Sequence, residues 1–317
     1  MWTLIRYILK KMALLVPVLV GISVMAFALG AMSPGDPVDQ VLNPNGNESY
    51  TREEYDQMSA RMGLDKPVHI QYINWLGNLS RGDLGRSFFT NKSIVEQLAR
   101  RIPISARLAG LSMIVTVVLG VGGGVAMAVW KDRFLDHLLG ACSAVALSVP
   151  GFWTAIVLMG LFAEKWKLLP TSGIVSGTGY LLPAVTLAIP STGACARLTR
   201  NAILDEVGRQ YVTVAVSKGL SRRQTIVFHA LGNGLIPVVT YLGTHMAGIL
   251  GGASIVETIF AVPGIGSYAI SAVQSKDYYV VQAYVLFSGL VYVAVNILLD
   301  LLYMAINPRI RRGEAGQ

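Results

Sequence analysis

Six apolar runs constrain what this chain can fold into, because an apolar helix of bilayer length has no stable place in water. They cover residues 12–32, 104–130, 138–163, 181–196, 238–260 and 283–306. A helix rises about 1.5 Å per residue, so about 20 residues cross a hydrocarbon core of about 30 Å. Charged residues make up only 14% of the sequence, against roughly 25% in an ordinary soluble domain. The sequence therefore predicts one all-α membrane domain, residues 1–317, with six transmembrane helices.

Lysine and arginine are distributed unevenly between the connections of these helices. With the N-terminus in the cytoplasm, the short outer loops hold three, Lys165, Lys167 and Lys276, and the inner side holds fourteen. The fourteen are Arg6, Lys10, Lys11, Lys131, Arg133, Arg197, Arg200, Arg209, Lys218, Arg222, Arg223, Arg309, Arg311 and Arg312. Positive residues in short loops stay in the cytoplasm, so we expect both termini inside. Residues 33–103 then form a large outer loop, and residues 197–237 form a cytoplasmic loop between the fourth and fifth helices.

The net charge of +8 follows from this bias towards one membrane side. No basic patch interleaved with aromatic residues accompanies it, so the charge does not indicate binding of nucleic acid. The outer loop has signals of internal structure, including the turn sequence Pro34-Gly35-Asp36-Pro37. Two uses of that loop stay open, a folded cap without a ligand and a docking surface for an extracytoplasmic partner.

Small residues repeat at four-residue spacing in two of the runs. Gly120 and Gly124 lie in the second run, and Gly248 and Gly252 lie in the fifth. This spacing lets the backbones of two membrane helices approach closely. We therefore predict that both pairs pack against neighbouring helices.

Polar side chains inside an apolar run are costly, so they are candidates for a translocation pathway. The candidates are Arg107, His245, Glu257 and Asn296. His245 precedes Gly248 and Gly252 on one helix face, but a hydrogen bond to a neighbouring helix is the simpler explanation for it. Solvation at the outer interface is the simpler explanation for Glu257. A lone histidine lacks the partners that a metal site requires, so no metal site is predicted.

Motifs that would supply chemistry are absent from the sequence. It contains no phosphate-binding Gly-x-x-x-x-Gly-Lys-Ser/Thr loop, no His-Glu-x-x-His, no Cys-x-x-Cys and no Gly-x-Ser-x-Gly. An intramembrane hydrolase would need a nucleophile with a base in reach, and no pattern pairs His245 with one. We expect that the chain is no enzyme and binds no cofactor itself.

The predicted cytoplasmic loop has the pattern of a helical hairpin. Residues 205–216 are compatible with a helix, Gly219-Leu220-Ser221 is typical of a turn, and residues 222–231 restart a helix with Ser221 as N-cap. Such a hairpin outside the bilayer gives a partner protein a structure to grip.

Two ordered motifs in this hairpin carry a family resemblance. Tyr211-Val-x-x-Ala215-x-x-Lys218-Gly219-Leu220 and His229-Ala-Leu-x-Asn233-x-x-x-Pro237 resemble the coupling loop of the permease subunits of ABC importers. The resemblance is to the B-type permeases for dipeptides, oligopeptides and nickel. It extends along the whole chain, from Gly35-Asp36-Pro37 through Gly82-Asp83-Leu84-Gly85 and Pro263-Gly264-x-Gly266 to Asn307-Pro308-Arg309. Thr213 and Val214 depart from the general coupling-loop pattern, and Val216 stands where an arginine is usual.

The resemblance implies a subunit of a larger machine in a bacterial cytoplasmic (inner) membrane. Its expected partners, besides membrane lipid, are a homologous second permease in a heterodimer, two ATPase subunits that hold ATP and Mg²⁺, and an extracytoplasmic solute-binding protein. The residues implied in coupling to the ATPases are Asp205, Tyr211, Ala215, Lys218, Gly219, Leu220, Arg222, Arg223, His229 and Asn233.

The sequence leaves two alternatives open for the substrate and two for the energy source. Peptides are expected from the breadth of the family, and nickel or a nickel chelate is the alternative cargo. A secondary transporter that works without ATP is the alternative of another class, although the broken spans repeated in two halves that such transporters show are not evident in the sequence.

Overall fold

The computed structural model describes residues 2–32, 36–43, 46, 49–174, 177–217, 219–226 and 230–306. In these ranges the regular structure is helical and contains no strand. The helices are α1 (Trp2–Ala31), α2 (Pro37–Leu42), α3 (Arg52–Met62), α4 (Val68–Ser80), α5 (Ile94–Val115), α6 (Gly122–Val129), α7 (Phe134–Ser148), α8 (Gly151–Leu158), α9 (Leu181–Val207), α10 (Gln210–Ser217), α11 (Arg222–Thr225), α12 (Leu231–Gly234), α13 (Ile236–Leu250), α14 (Ser254–Ile259), α15 (Ile265–Gln274) and α16 (Tyr278–Ile306). Two π-helical segments extend the set, Thr116–Val121 between α5 and α6 and Met159–Lys165 after α8.

Three continuous helices in the described ranges are long and apolar enough to cross a membrane. They are Ile94–Val129, Gly177–Val207 and Tyr278–Leu302. A bent pair, Phe134–Ser148 with Gly151–Lys165, counts as a fourth if it forms one span. Two shorter apolar helices, Leu15–Gly30 and Ile236–Leu250, accompany them. Each of the six predicted runs overlaps one of these elements, but two of the runs are not continuous helices.

The third run bends by 102° between α7 and α8, where the sequence predicted one helix over residues 138–163. Proline at position 150 explains the bend, because its ring restricts the preceding residue and its nitrogen has no hydrogen to donate. Val149 accordingly has extended backbone angles, φ −82° and ψ 125°.

The fifth run is also interrupted, so the prediction of one helix over residues 238–260 is wrong. Helix α13 ends at Leu250, and Gly252 has φ +123°, a conformation that L side chains rarely adopt. Helices α14 and α15 follow and pack against α5, α8 and α16. A broken helix in a membrane protein is tolerated where protein surrounds the freed backbone groups.

Helices α2 to α4 form a cap over one end of α1 and α16. A reciprocal capping box between Thr51 and Glu54 starts α3. The Tyr72 hydroxyl lies 2.8 Å from the Ser23 hydroxyl of α1, and the Tyr279 hydroxyl of α16 donates to the Met62 carbonyl at 3.0 Å. Helix α5 already begins at residue 94, so the last part of the predicted outer loop 33–103 is helical.

Helix α9 occupies the centre of the bundle and packs against α5, α6, α7, α8 and α13. Gly120 and Gly124 allow the continuous helix Ile94–Val129 to approach α9 closely. A Cβ atom on Gly120 would lie 2.8 Å from Cβ of Cys195, and one on Gly124 would lie 2.5 Å from the carbonyl oxygen of Ala196. Any larger residue would force these helices apart.

The two ends of the bundle carry different structures. Near the start of α9, Leu182 packs in a buried cluster with Val256 and Phe260 of the α14 region, which lies towards the cap. Near the end of α9, Ile203 packs with Ile226 and with residues of α6. We refer to these as the cap end and the hairpin end.

Candidate functional site

The helical hairpin of residues 208–234 at the hairpin end is the candidate functional site. Helix α9 continues to Val207, so Arg197, Arg200 and Asp205 belong to the long central helix. The prediction of one helix over residues 205–216 is corrected by a break at Gly208, after which α10 begins at Gln210. The first helix of the hairpin is therefore a separate element attached to the end of α9.

Gly219 forms the sharp turn after α10, as its position in the motif predicts. Its φ is +89°, and a Cβ atom there would meet no heavy atom within 4 Å. The glycine is therefore required by the backbone conformation and not by close packing.

Ser221 caps the next helix, α11, as predicted. Its hydroxyl accepts the Gln224 backbone N–H at 3.4 Å, and the Gln224 side-chain oxygen accepts the Ser221 backbone N–H at 3.0 Å. These reciprocal bonds satisfy two donors that a helix start leaves free. In the described residues α11 covers Arg222–Thr225, Ile226 and Ala230 have π-helical backbone, and α12 covers Leu231–Gly234.

The hairpin is anchored along one side and open along the other. Ile226 and Ala230 are fully buried against Ile203 of α9. On α10, Val212 is 1% exposed, whereas Val214 is 54% and Tyr211 is 41% exposed. Tyr211 and Val214 are three positions apart, so their exposed side chains lie on one face of α10.

Glu206 attaches α10 to α9, a role that the sequence patterns did not reveal. Its carboxylate is buried, accepts the Tyr211 hydroxyl at 2.6 Å and lies 2.9 Å from Nε of Arg209. The only signal in the sequence is an acidic residue three positions before an arginine, which is common on solvated helices. The break at Gly208 turns that spacing into a clamp across two helices.

The other predicted coupling residues are distributed around this hairpin. Asp205 is exposed on α9, and Leu220 is half-buried beside the turn. Ala215, Arg222, Arg223 and Asn233 lie within α10, α11 and α12 by their backbone, and their side chains are not described. Lys218 and His229 lie outside the described residues.

His245 on α13 is hydrogen-bonded to the central helix. Its Nε2 lies 2.6 Å from the Ser191 hydroxyl of α9, and its ring is parallel to that of Tyr241 with centroids 6.0 Å apart. This geometry agrees with the simpler expectation, in which a neighbouring helix satisfies the imidazole. No group of three or more His, Cys, Asp or Glu in the described part of the chain could hold a metal ion.

Glu257 is fully buried on α14, so the expectation of solvation at the outer interface is wrong. Its Oε1 accepts the Ser105 hydroxyl of α5 at 2.7 Å, and its Oε2 accepts the Ser267 backbone N–H at 2.9 Å. The Ser105 hydroxyl in turn accepts the Ile265 backbone N–H at 2.9 Å. Two backbone donors that the first turn of α15 leaves free are thereby satisfied from other helices. The break after α13 allows Glu257 of α14 to lie beside Ser105 of α5.

The two remaining pathway candidates lie elsewhere. Arg107 is exposed on α5, and the Asn296 amide donates to the Tyr292 carbonyl one turn earlier on α16 at 2.8 Å. Within the described residues, no hydrogen bond or ion pair joins any two of Arg107, His245, Glu257 and Asn296.

The second glycine pair does not form the helix face that its spacing predicts. Gly252 lies beyond the end of α13, and a Cβ atom on it would meet the backbone of Gly266. Gly248 is exposed, with no heavy atom within 4 Å of a Cβ position. Gly248 therefore packs closely against no helix in the part of the chain that the structure describes.

The sequence matches two family descriptions that together span nearly the whole chain. "Binding-protein-dependent transport system inner membrane component" covers residues 120–312, and the corresponding N-terminal description covers residues 4–109. The dipeptide transport system permease protein DppB of Escherichia coli (strain K12) is 34% identical over 339 residues, with 97% of this chain and 99% of that protein covered. The glutathione transport system permease protein GsiC of Salmonella typhimurium is 34% identical over 308 residues, with the same coverage.

A solved structure of the MetNI methionine ABC transporter in an inward-facing conformation aligns with a TM-score of 0.46 and 18% identity, over 68% of this chain and 95% of that chain. The family matches and the full-length relatives lead to one assignment. The chain belongs to the family of binding-protein-dependent transport system inner membrane components, and it is a multi-pass inner membrane protein.

Proposed function

We propose that this chain is the transmembrane permease subunit of an ABC importer that carries peptides inward across the bacterial cytoplasmic membrane. ATP hydrolysed by partner subunits, where ATP and Mg²⁺ would bind, drives the transport. The observation that supports it best is the hairpin of residues 208–234, in which α10 exposes the side chains of Tyr211 and Val214 and is fixed to the central helix of the bundle. The alternative of a transporter without ATPase partners leaves this surface without a use.

The proposed topology has six spans with both termini in the cytoplasm. Helix α1, the continuous helix Ile94–Val129, the bent pair α7–α8, and α9, α13 and α16 are the six. The excess of Lys and Arg on the hairpin side of the sequence supports a cytoplasmic hairpin end. The cap then faces outward, where it offers a surface to a solute-binding protein.

The hairpin passes movement of an ATPase to the bundle in three physical steps. Tyr211 and Val214 give the partner an apolar grip on α10. The Glu206 bonds carry displacement of α10 to α9, and the buried contacts of Ile226 and Ile203 carry displacement of the second half of the hairpin. Since α9 packs against helices on every side, among them α5, α6, α7, α8 and α13, a shift of its end alters the packing of the bundle and so its access to either side.

Peptides are the substrate class that the relatives favour. One aligned permease is named for dipeptides and the other for glutathione, itself a tripeptide, and both align along their full length. The second permease of the proposed heterodimer would cover membrane-facing surface such as that around Gly248.

Reconstitution tests the function directly. The chain is purified with its ATPase and permease partners, placed in proteoliposomes, and supplied with the binding protein and labelled dipeptides, glutathione or nickel. ATP-dependent uptake of a peptide is the expected result. Uptake of nickel alone would refute the peptide assignment, and uptake without ATPase subunits would refute the importer class.

Gly219→Val is the matched test of the hairpin. Valine at φ +89° is strained, so stimulated ATP hydrolysis should be lost while membrane insertion persists. Gly232→Val is the control, because Gly232 is also exposed, has open space at its Cβ position and has no positive φ. Equal behaviour of the two variants would contradict the role of the turn.

A further inference from the structure

An ion pair at the hairpin end joins two helices whose charged residues the proposed function does not yet use. Nε and Nη2 of Arg200 on α9 lie 2.7 Å from Oδ1 and Oδ2 of Asp136, respectively, on α7. Asp136 is 4% exposed and the Arg200 side chain is 24% exposed. Two parallel bonds between planar groups fix the orientation as well as the distance of the helices that carry them.

The pair lies between the hairpin and the bent span. Arg200 is two turns before Val207, the end of α9 to which Glu206 holds α10. Asp136 is in the first turn of α7, whose other end leads into the 102° bend. The Asp136 carboxylate also accepts the Asp132 backbone N–H at 3.0 Å, which ties the turn between α6 and α7 to the same group.

The pair is better suited to transmit position than to add stability. Removing two charges from water offsets most of their attraction, so a buried pair contributes little net stability over an apolar substitute. Its two directional bonds resist both sliding and rotation of one helix against the other. Arg197, one turn earlier on the same helix, is exposed and forms no ion pair within the described residues. An arginine at this end of α9 is therefore not sufficient for the link.

We propose that the Arg200–Asp136 pair is the link through which displacement of the hairpin moves α7 and the bent span, so that both residues are positioning residues of the transport cycle. The proposal rests on the proposed function, in which ATPases displace the hairpin. Without the pair, α9 would still move with the hairpin, but α7 would follow it less closely and the bundle would respond less to the ATPase.

The test compares variants in the reconstituted importer. The readout is the ratio of ATP hydrolysis with peptide-loaded binding protein to hydrolysis without it. Arg200→Gln and Asp136→Asn should each lower this ratio about tenfold, the usual size of a coupling between sites. The double variant should lose no more than the worse single variant, because both changes break one interaction. Arg197→Gln is the matched control and should keep the wild-type ratio.

Each outcome bears on the proposal. A wild-type ratio in the double variant, losses that multiply in it, or an equal loss in Arg197→Gln would overturn the link. If a single variant fails to assemble because one charge is left buried and alone, the double variant decides, and its failure to assemble would assign the pair to folding and also overturn the proposal. An unstimulated wild-type complex would instead refute the proposed function.

Discussion

Replacement of Glu257 by alanine should loosen the segment from α14 to α15 at the cap end. The carboxylate has no exposed surface and accepts hydrogen bonds from the Ser105 hydroxyl and the Ser267 backbone N–H. Leaving a buried donor unpaired costs about 1–3 kcal/mol, so the two donors together cost about 2–6 kcal/mol. We therefore expect the local stability of this segment to fall by about 4 kcal/mol.

The assay is hydrogen exchange of the backbone amides in residues 264–270. A loss of about 4 kcal/mol corresponds to faster local opening by roughly three orders of magnitude. Glu257→Gln keeps an acceptor oxygen for one of the two donors, so it should lose about half of this free energy. Thr258→Ala is the control on the same helix, because Thr258 is exposed and its hydroxyl donates to the Ser254 carbonyl of its own helix.

Two results would refute this reasoning about Glu257. Wild-type exchange in Glu257→Ala would mean that other contacts hold the start of α15 in place. Equal exchange in the Ala and Gln variants would mean that the carboxylate fills space and that its hydrogen bonds contribute nothing measurable.

Three further predictions concern the bundle, the hairpin and the cap. Gly124→Leu should prevent folding, whereas Gly122→Leu, with open space at its Cβ position, should insert and assemble normally as judged by gel filtration. Tyr211→Phe removes a hydrogen bond between α10 and α9, and should lower stimulated ATP hydrolysis several-fold while basal hydrolysis is kept. Burial raises the pKa of Asp277, so its contribution to stability is full below about pH 4 and is lost as the pH rises through the raised pKa. The thermal midpoint should therefore fall more between pH 4 and pH 7 in the wild type than in Asp277→Asn, and an equal fall would contradict this assignment.

Local patterns in the sequence predicted those features that depend on neighbouring residues alone. The apolar runs predicted where helices lie, and the turn at Gly219 and the cap at Ser221 follow from backbone conformation and short-range hydrogen bonds. The Gly120–Gly124 spacing predicted a close helix contact, although it did not identify α9 as the partner.

Local patterns in the sequence did not predict contacts between residues that are distant in the chain. The Arg200–Asp136 pair is separated by 64 positions, and the bond from Ser105 to Glu257 by 152. The sequence predicts a solvated interface for Glu257 because one continuous helix over residues 238–260 would place it there. The break at Gly252 removes it from that interface and buries it.

By itself, the sequence determined that this is an all-α membrane chain of the importer permease type with a glycine turn in its hairpin. Hydropathy, charge bias and glycine conformations are properties of short segments, so they do not depend on contacts with distant parts of the chain. Tertiary structure alone decided that Glu206 clamps α10 to α9, that Glu257 satisfies the start of α15, and that Arg200 meets Asp136. The physical reason is that a buried polar group is stable only beside its partner, and the fold brings the partners together.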